Sequence, residues 1–312
     1  MTYEARVAVL IPCLDEAGTI GKVVDDFRRE LPGADVWVID NGSTDATAEV
    51  AAAHGARVLT ESRRGKGFAM RAAFRRVDAD VYVMVDGDDT YPAEAVHALL
   101  APVVEGRADM AVGSRTMPGT NSDFRRLNRM GNAFYPAVIR TLVHVRLTDV
   151  LSGYRAMTRE FVEGVPIASQ GFELEVELTV KAAERHYRIA EVPVDLRPRP
   201  EGSHSKVSLV GDGSRVLWTI VLLFRDYRPM AFFGGIGLAA MLLGLIPGIV
   251  VIVEFLETGL VPRFPSAILA VALELAGMLS ISVGIVLSAV TRRFAELESR
   301  LEMLVGRQRR DR

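Results

Sequence analysis

With one cysteine, Cys13, in 312 residues, the chain cannot rely on an internal disulfide framework. Cys13 itself reads as a small apolar residue at a strand end rather than a reactive thiol. Histidines are few: His54, His97, His144 and His186 show no ligand spacing, so no Cys/His cluster of the kind that binds zinc is expected. Neither sign of charge prevails, since 37 Lys and Arg stand against 39 Asp and Glu. That balance offers no footprint for a nucleic-acid partner, and none is expected. The opening MTYEARVAVLIPCLDE lacks the basic, apolar and small-residue regions of a secretory signal. The N-terminal domain is therefore expected to stay in the cytosol.

Apolar residues, by contrast, make up 49% of the chain, and the excess gathers after Arg228. Ala231 to Phe255 carries no charge until Glu254, and Ser266 to Val290 carries only Glu274. About 20 apolar residues suffice to cross a bilayer core, and the internal Pro247 and glycines are tolerated in membrane helices. Two transmembrane helices joined by the short turn LETGLVPRFP are expected, against the alternative of a buried helical hairpin. Arg225 and Arg228 precede the first span, Arg292 and Arg293 follow the second, and the turn has only Arg263. The excess of flanking positive charge puts both the N-terminal domain and the tail on the cytosolic side, making an integral protein of the cell membrane. Glu274 reads either as a functional group within the membrane or as a contact with the partner helix or another subunit. In the tail, Leu297, Leu301 and Leu304 fall at heptad-like spacing, which allows self-association through a short coiled coil. The tail's seven arginines equally suit a helix lying on anionic headgroups.

The first 115 residues alternate apolar, β-rich runs with helical patterns. VAVLIPCL, DVWVIDNGS, ARVLTE, DVYVMVDGDD and ADMAVGSR read as strands. The helices between them are TIGKVVDDFRREL, capped by Thr19; TDATAEVAAAHG, closing on Gly55; GFAMRAAFRRV; and PAEAVHALLAPVV, opened by Pro92. Such alternation predicts an α/β fold, a mainly parallel sheet with helices on both faces. Ligands bind beyond the carboxyl ends of the strands in sheets of this kind. Asp15-Glu16, Asp40 to Ser43, Arg63 to Gly67, Asp86 to Asp89 and Gly113 to Arg115 gather at those ends.

VMVDGDDTYP places Asp86 and Asp88 two apart, directly after a buried strand, with Asp89 as a third carboxylate nearby. Carboxylates in that position suit a hard divalent cation, Mg2+ or Mn2+, that clamps phosphates. On its own such a pair is also an ordinary acidic turn. The ordered series LIPCLDE, VIDNGSTDAT, ESRRGKG, VDGDDTYP and VGSR resembles inverting family 2 glycosyltransferases of the GT-A fold. It is most similar to dolichol-phosphate mannose synthases and the related polyprenyl-phosphate glycosyltransferases. RRLNRMGNAF and LTDVLSGYRAMTREFVEGV resemble the archaeal branch that primes dolichol phosphate for protein glycosylation. The resemblance covers nearly the whole chain, including the paired spans.

The resemblance implies roles residue by residue. Pro12, Leu14 and Glu16 shape the first loop, Asp40 faces the nucleoside, and Gly65 and Lys66 lie near the nucleotide. Asp86 and Asp88 match the metal–diphosphate motif, and Thr90 stands where many relatives carry Gln. Arg115, Arg126 and Arg129 meet the acceptor phosphate, guanidinium being a bidentate partner for phosphate oxygens. Ser152, Gly153 and Tyr154 line the acceptor pocket, and Glu175 and Glu177 match an acidic helix of the group. RPRPEGSHSKVS resembles a loop that closes over the diphosphate, with Arg197, Arg199, Ser205 and Lys206 as its working residues. It departs from the pattern by carrying Ser203 and His204 before Ser205-Lys206.

The organisation expected is a catalytic domain over 1–206, an interfacial helix over 207–228 containing Trp218, two membrane helices over 229–291 and a basic tail over 292–312. The reaction implied is transfer of a sugar from a nucleotide-sugar donor to a polyprenyl phosphate lipid with inversion. UDP-N-acetylglucosamine, UDP-glucose and GDP-mannose all remain open as donors. Rival readings are weaker. A processive polysaccharide synthase would show a Gln-x-x-Arg-Trp motif, which is absent. A sugar nucleotidyltransferase would open on a glycine-rich phosphate loop, which LIPCLDEAG is not. A non-catalytic membrane scaffold sits poorly with intact Asp86, Asp88, Arg115 and Lys206.

Overall fold

A computed structural model describes residues 5–116, 147–171, 173–198 and 228–310, with isolated positions between 218 and 226. Arg126, Arg129, Arg199 and Lys206, most of the expected interfacial helix, and the side chains of the tail lie outside the described residues. The chain divides into two compact units, Met1–Ile220 and Val221–Arg312.

In the first unit the strands are β1 (Val7–Cys13), β2 (Asp35–Asp40), β3 (Arg57–Thr60), β4 (Val81–Met84), β5 (Met110–Thr116), β6 (Arg155–Thr158) and β7 (Ile189–Asp195). They form one sheet in the order β3-β2-β1-β4-β6-β5-β7. All neighbours are parallel except β6, which runs antiparallel to both β4 and β5. The helices are α1 (Ile20–Glu30), α2 (Thr47–Ala53), α3 (Lys66–Arg76), α4 (Val96–Val104), α5 (Arg159–Gly164) and α6 (Leu174–Glu184). This is the GT-A arrangement, a mixed sheet with helices on both faces.

Alternation along β1 divides the core. Val7, Val9, Ile11 and Cys13 pack with α1 and α4 on one face. Ala8 and Leu10 pack with α3, α5 and α6 on the other. Both sets of side chains are almost fully buried, as a central strand covered on two faces requires.

One local expectation needs correction, and one gains detail. Thr19 stands at the start of α1 but makes no capping bond; its hydroxyl donates instead to Gly87 O at 2.7 Å. The 93–104 helix starts at Pro92 as a short 3-10 turn before α4 begins. Strand β6 falls within GYRAMT, a stretch with no strand signal of its own. It forms because β4 and β5 leave a gap that Arg155–Thr158 fills.

That insertion sets the geometry of the active end. Met84 lies level with both Leu10 and Arg155, and Arg155 with Val112. Two residues past that line on β4 is Asp86, three past it on β5 is Arg115, and the run Ser152–Tyr154 enters β6 at the same end.

The second unit is α7 (Pro229–Thr258) and α8 (Phe264–Arg310). Residues 229–258 and 264–294 are each long and apolar enough to cross a membrane. Apart from Val104 and Trp218, every exposed large apolar side chain among the described residues lies in 230–294. Among the described residues, no part of this unit covers those side chains, as expected of lipid-facing helices. Small residues let α7 and α8 approach closely: a Cβ on Gly237 would lie 2.6 Å from Gly277 O, and one on Gly277 would lie 2.7 Å from Gly237 O. Glu274 faces α7, with Oε1 3.2 Å from where a Gly244 Cβ would stand. The helix α8 does not stop at the second span but continues unbroken to Arg310, about 70 Å of helix at 1.5 Å per residue.

Candidate active site

The loops after β1 and β2 are laced together. Asp15, at φ 51°, accepts at Oδ1 from Thr44 N (2.6 Å) and Thr44 Oγ1 (3.1 Å), and Asp15 N donates to Ser43 Oγ at 3.0 Å. Glu16 N donates to Thr47 Oγ1 at 2.8 Å and Ala17 N to Asp45 Oδ2 at 3.1 Å. Pro12, Leu14 and Glu16 are thus held, half-buried, beside buried Asp40, whose Oδ1 accepts from Ser43 N at 3.1 Å. Asn41 extends the platform: its amide donates to Glu61 O (3.1 Å) and Arg63 O (2.7 Å), and its Oδ1 accepts from Gly65 N at 2.6 Å. Through these bonds Asn41 shapes the loop that delivers Lys66.

At the end of β4, the residue between the two carboxylates has to be small. A Cβ on Gly87 would stand 2.6 Å from Cys13 Sγ, so Cys13 serves as packing beneath the acidic turn. Asp88 Oδ1 accepts from Thr90 Oγ1 (2.6 Å) and Thr90 N (3.2 Å). Asp89, at φ 57°, turns the other way, to Lys22 Nζ at 2.7 Å and Arg197 Nη1 at 3.3 Å. It therefore does not add a third carboxylate to the pair. Among the described residues, no group of three or more His, Cys, Asp or Glu is placed to hold a metal.

Lys66 is buried in the floor of the site. Its ammonium is ion-paired with Asp86 Oδ1 and with Glu175 Oε1, the latter at 2.6 Å. Burial pushes the ammonium pKa down, but the two carboxylates outweigh it, so the pKa is raised and Lys66 stays charged. Behind them lies Arg155, fully buried. It donates to Ser152 O (3.0 Å), Val150 O (2.9 Å) and Thr179 Oγ1 (2.9 Å). Burial lowers its pKa to about 10, against the opposing pull of Glu175 and Asp149. Gly153 fits closely beside the acidic turn, since a Cβ there would meet Asp86 Oδ2 at 2.5 Å. Gly153 N donates to Tyr91 OH at 3.1 Å, and Tyr91 OH lies 3.4 Å from Ser152 Oγ.

On the far side, Arg115 is gripped by Asp149 through Nε–Oδ2 (2.6 Å) and Nη2–Oδ1 (2.8 Å). Burial alone would depress the guanidinium pKa, but the Asp149 hydrogen bonds, with Tyr91 and Asp86 nearby, raise it. Asp149 is itself held, because Glu191 on β7 accepts from Thr148 N (2.9 Å), Thr148 Oγ1 (2.7 Å) and Asp149 N (3.0 Å).

Of the residues named from sequence, Asp40, Lys66, Asp86, Asp88, Arg115 and Ser152 come to the same end of the sheet, and Lys66 meets Asp86 directly. Arg197 does not point at the carboxylate pair. Its N donates to Thr90 O (2.9 Å), and its guanidinium pairs with Asp26, Asp89 and Glu94. Sequence reasoning set Asn41 among the strand-end residues without a role of its own, and passed over Tyr91, Asp149 and Arg155. Asp149 and Arg155 stand inside TDVLSGYR, and a buried-type pattern around two opposite charges was the signal available there.

Carboxylates, a buried lysine and a braced arginine thus gather at the strand ends of a sheet with the GT-A arrangement, the fold of a class of glycosyltransferases. The Glycosyl transferase family 2 model matches residues 8–165, and the chain belongs to that family. It is 37% identical over 240 residues to glycosyltransferase AglJ of Haloferax volcanii, covering 77% of this chain and 78% of that protein. It is 35% identical over 222 residues to the dolichyl-phosphate hexose transferase of the same organism, covering 71% and 95%. Among solved structures it is similar to glucosyl-3-phosphoglycerate synthase from Mycobacterium tuberculosis in complex with Mn2+, UDP and glucosyl-3-phosphoglycerate. There the TM-score is 0.58 and the identity 26%, over 71% of this chain and 79% of that one.

Proposed function

We propose that this glycosyltransferase moves a sugar from a nucleotide-sugar to a polyprenyl phosphate, of the dolichyl type, with inversion at the anomeric carbon. One observation carries the reading: Arg115, braced by Asp149, stands across the sheet end from the Asp86–Asp88 pair in a chain that also carries two candidate membrane spans. A phosphate-binding arginine facing a donor site, on a membrane protein, fits a phosphorylated lipid acceptor. A relative named as a dolichyl-phosphate hexose transferase supports it. The solved relative is named for glucosyl-3-phosphoglycerate; the apolar helices favour a lipid acceptor here.

Pro12, Leu14, Glu16 and Asp40 hold the nucleoside in this reading, and Lys66 and Arg199 flank its phosphates. Arg115, with Arg126, Arg129 and Ser152, receives the acceptor phosphate. Asp86 and Asp88 fit a divalent ion: two carboxylates at one strand end, completed by substrate phosphates, is a common Mg2+ or Mn2+ donor set. When bound, Mg2+ or Mn2+ supplies charge neutralisation for the departing nucleoside diphosphate.

A phosphate monoester is largely ionised at neutral pH, its second pKa being about 6. The acceptor oxygen therefore attacks without a strong general base, and Arg115 orients it. Lys66 and Lys206 offset the negative charge that develops on the leaving group. A single displacement turns an α-linked donor into a β-linked lipid product. The arginines flanking both spans support a catalytic unit on the cytosolic face of the cell membrane.

The test is transfer of labelled sugar into the organic phase, with short-chain polyprenyl phosphate as acceptor and NMR of the product's anomeric centre. A β-linked sugar on phosphate supports the reading; label that never enters the lipid phase contradicts it.

A further inference from the structure

We propose that Lys66 is a resident cation of the Asp86–Asp88 pair, one that disfavours metal alone and couples metal binding to arrival of the nucleoside diphosphate. The inference rests on the assignment of metal to this pair made above.

The pairing itself comes first. Asp86, one of the two carboxylates assigned to the ion, is engaged by the Lys66 ammonium. Lys66 is anchored there rather than resting at the surface. Its side chain is 8% exposed, and its second partner, Glu175, is 4% exposed at a separation of 2.6 Å. The backbone beneath it is pinned as well, with Gly65 N on Asn41 Oδ1 at 2.6 Å and Gly67 N on Gln170 O at 3.0 Å. A change of partner at Lys66 must therefore come from its flexible side chain.

The donor set comes second. Asp89 is turned to Lys22 and Arg197, and no third His, Cys, Asp or Glu among the described residues completes the pair. An ion held by two protein carboxylates fills the rest of its shell with water, and substrate phosphates that replace that water strengthen its hold.

Charge comes third. Among the described residues, Lys66 is ion-paired with Asp86, so a divalent ion that takes this carboxylate must compete with the ammonium for it. A bare divalent ion competes with the ammonium, while a diphosphate adds negative charge beside the ion and offers Lys66 a new anionic partner. Metal and nucleotide then bind cooperatively, and the coupling is reciprocal.

The test is Mn2+ binding to the full-length protein in detergent, read as loss of the free-ion EPR signal, with and without UDP or GDP. Wild type should bind Mn2+ weakly alone and about tenfold or more tightly when the matching nucleotide is present. Lys66→Met should bind Mn2+ alone more tightly than wild type, about tenfold, and lose most of the nucleotide effect. Lys66→Met leaves Glu175 buried without its partner, so Lys66→Met/Glu175→Gln is measured beside it, each variant being checked for fold by circular dichroism. Folded variants that bind Mn2+ no more tightly than wild type overturn the role given to Lys66. Asp88→Asn separates the two claims: unchanged Mn2+·nucleotide affinity in that variant overturns the metal assignment itself.

Discussion

Asp149 holds the Arg115 guanidinium through two parallel hydrogen bonds, at 2.6 and 2.8 Å, and is 7% exposed while doing so. A guanidinium fixed in this way keeps its remaining N–H groups aimed at one place. Asp149→Ala should raise the KM for polyprenyl phosphate tenfold to a hundredfold, a loss of about 1–3 kcal/mol, with little change in the KM for the nucleotide-sugar. Asp149→Glu should recover part of that loss. Equal effects on both substrates would place Asp149 in general stability instead.

Gly87 lies against Cys13, and that contact ties the Asp86–Asp88 turn to the core of β1. Gly87→Ala would put a methyl 2.6 Å from Sγ, so about 1–3 kcal/mol of stability should be lost, along with transfer activity. Adding Cys13→Ala removes the obstructing sulfur. The double variant should melt closer to wild type than Gly87→Ala alone, a coupling that independent sites would not show.

Much of this arrangement was legible in the sequence, and what was not has a physical reason. Strands β1 to β5 announce themselves by apolar, β-branched runs, and the carboxylates and basic residues fall at their ends. β6 carries no such signal, because a four-residue strand is made by the neighbours it pairs with. Asp149 and Arg155 were passed over for the same cause: a charged residue becomes a brace only through partners distant in sequence, such as Thr179 or Arg115. Asp89 illustrates the converse. Adjacent in sequence to Asp88, it is taken out of the pair by a left-handed backbone turn toward Lys22.

Glu177 connects acid stability to the loop over Lys66. Its carboxylate accepts from Ala168 N (2.8 Å) and Ser169 N (2.7 Å) and pairs with Lys181 at 2.7 Å. Burial pushes its pKa up, but Lys181 and the two amide groups more than offset that, so it lies below the usual carboxylate value. A folded pKa below the unfolded one means a contribution fully present above about pH 4.5 and lost as pH falls through the folded value. Glu177→Gln should be less stable than wild type at pH 7 and should show a shallower loss of stability below about pH 4.5. Parallel acid limbs for the two proteins would contradict this.

The close approach of Gly237 and Gly277 sets the spacing of α7 and α8. Gly277→Leu should force the helices apart, with a cost of about 1–3 kcal/mol, read as a lower melting temperature of the helical signal in detergent. Leu242→Ala, at an exposed position on α7, should leave that temperature nearly unchanged.

The central claim is that a lipid phosphate is the acceptor, and nucleoside diphosphate release measured with and without polyprenyl phosphate tests it most directly. Purified protein in detergent, given Mn2+ or Mg2+ and a panel of UDP- and GDP-sugars, should release nucleotide from one donor only when the lipid is present. Asp88→Ala should abolish that release. Release that is the same without lipid, or absent with every donor while the protein still binds nucleotide, would contradict the account.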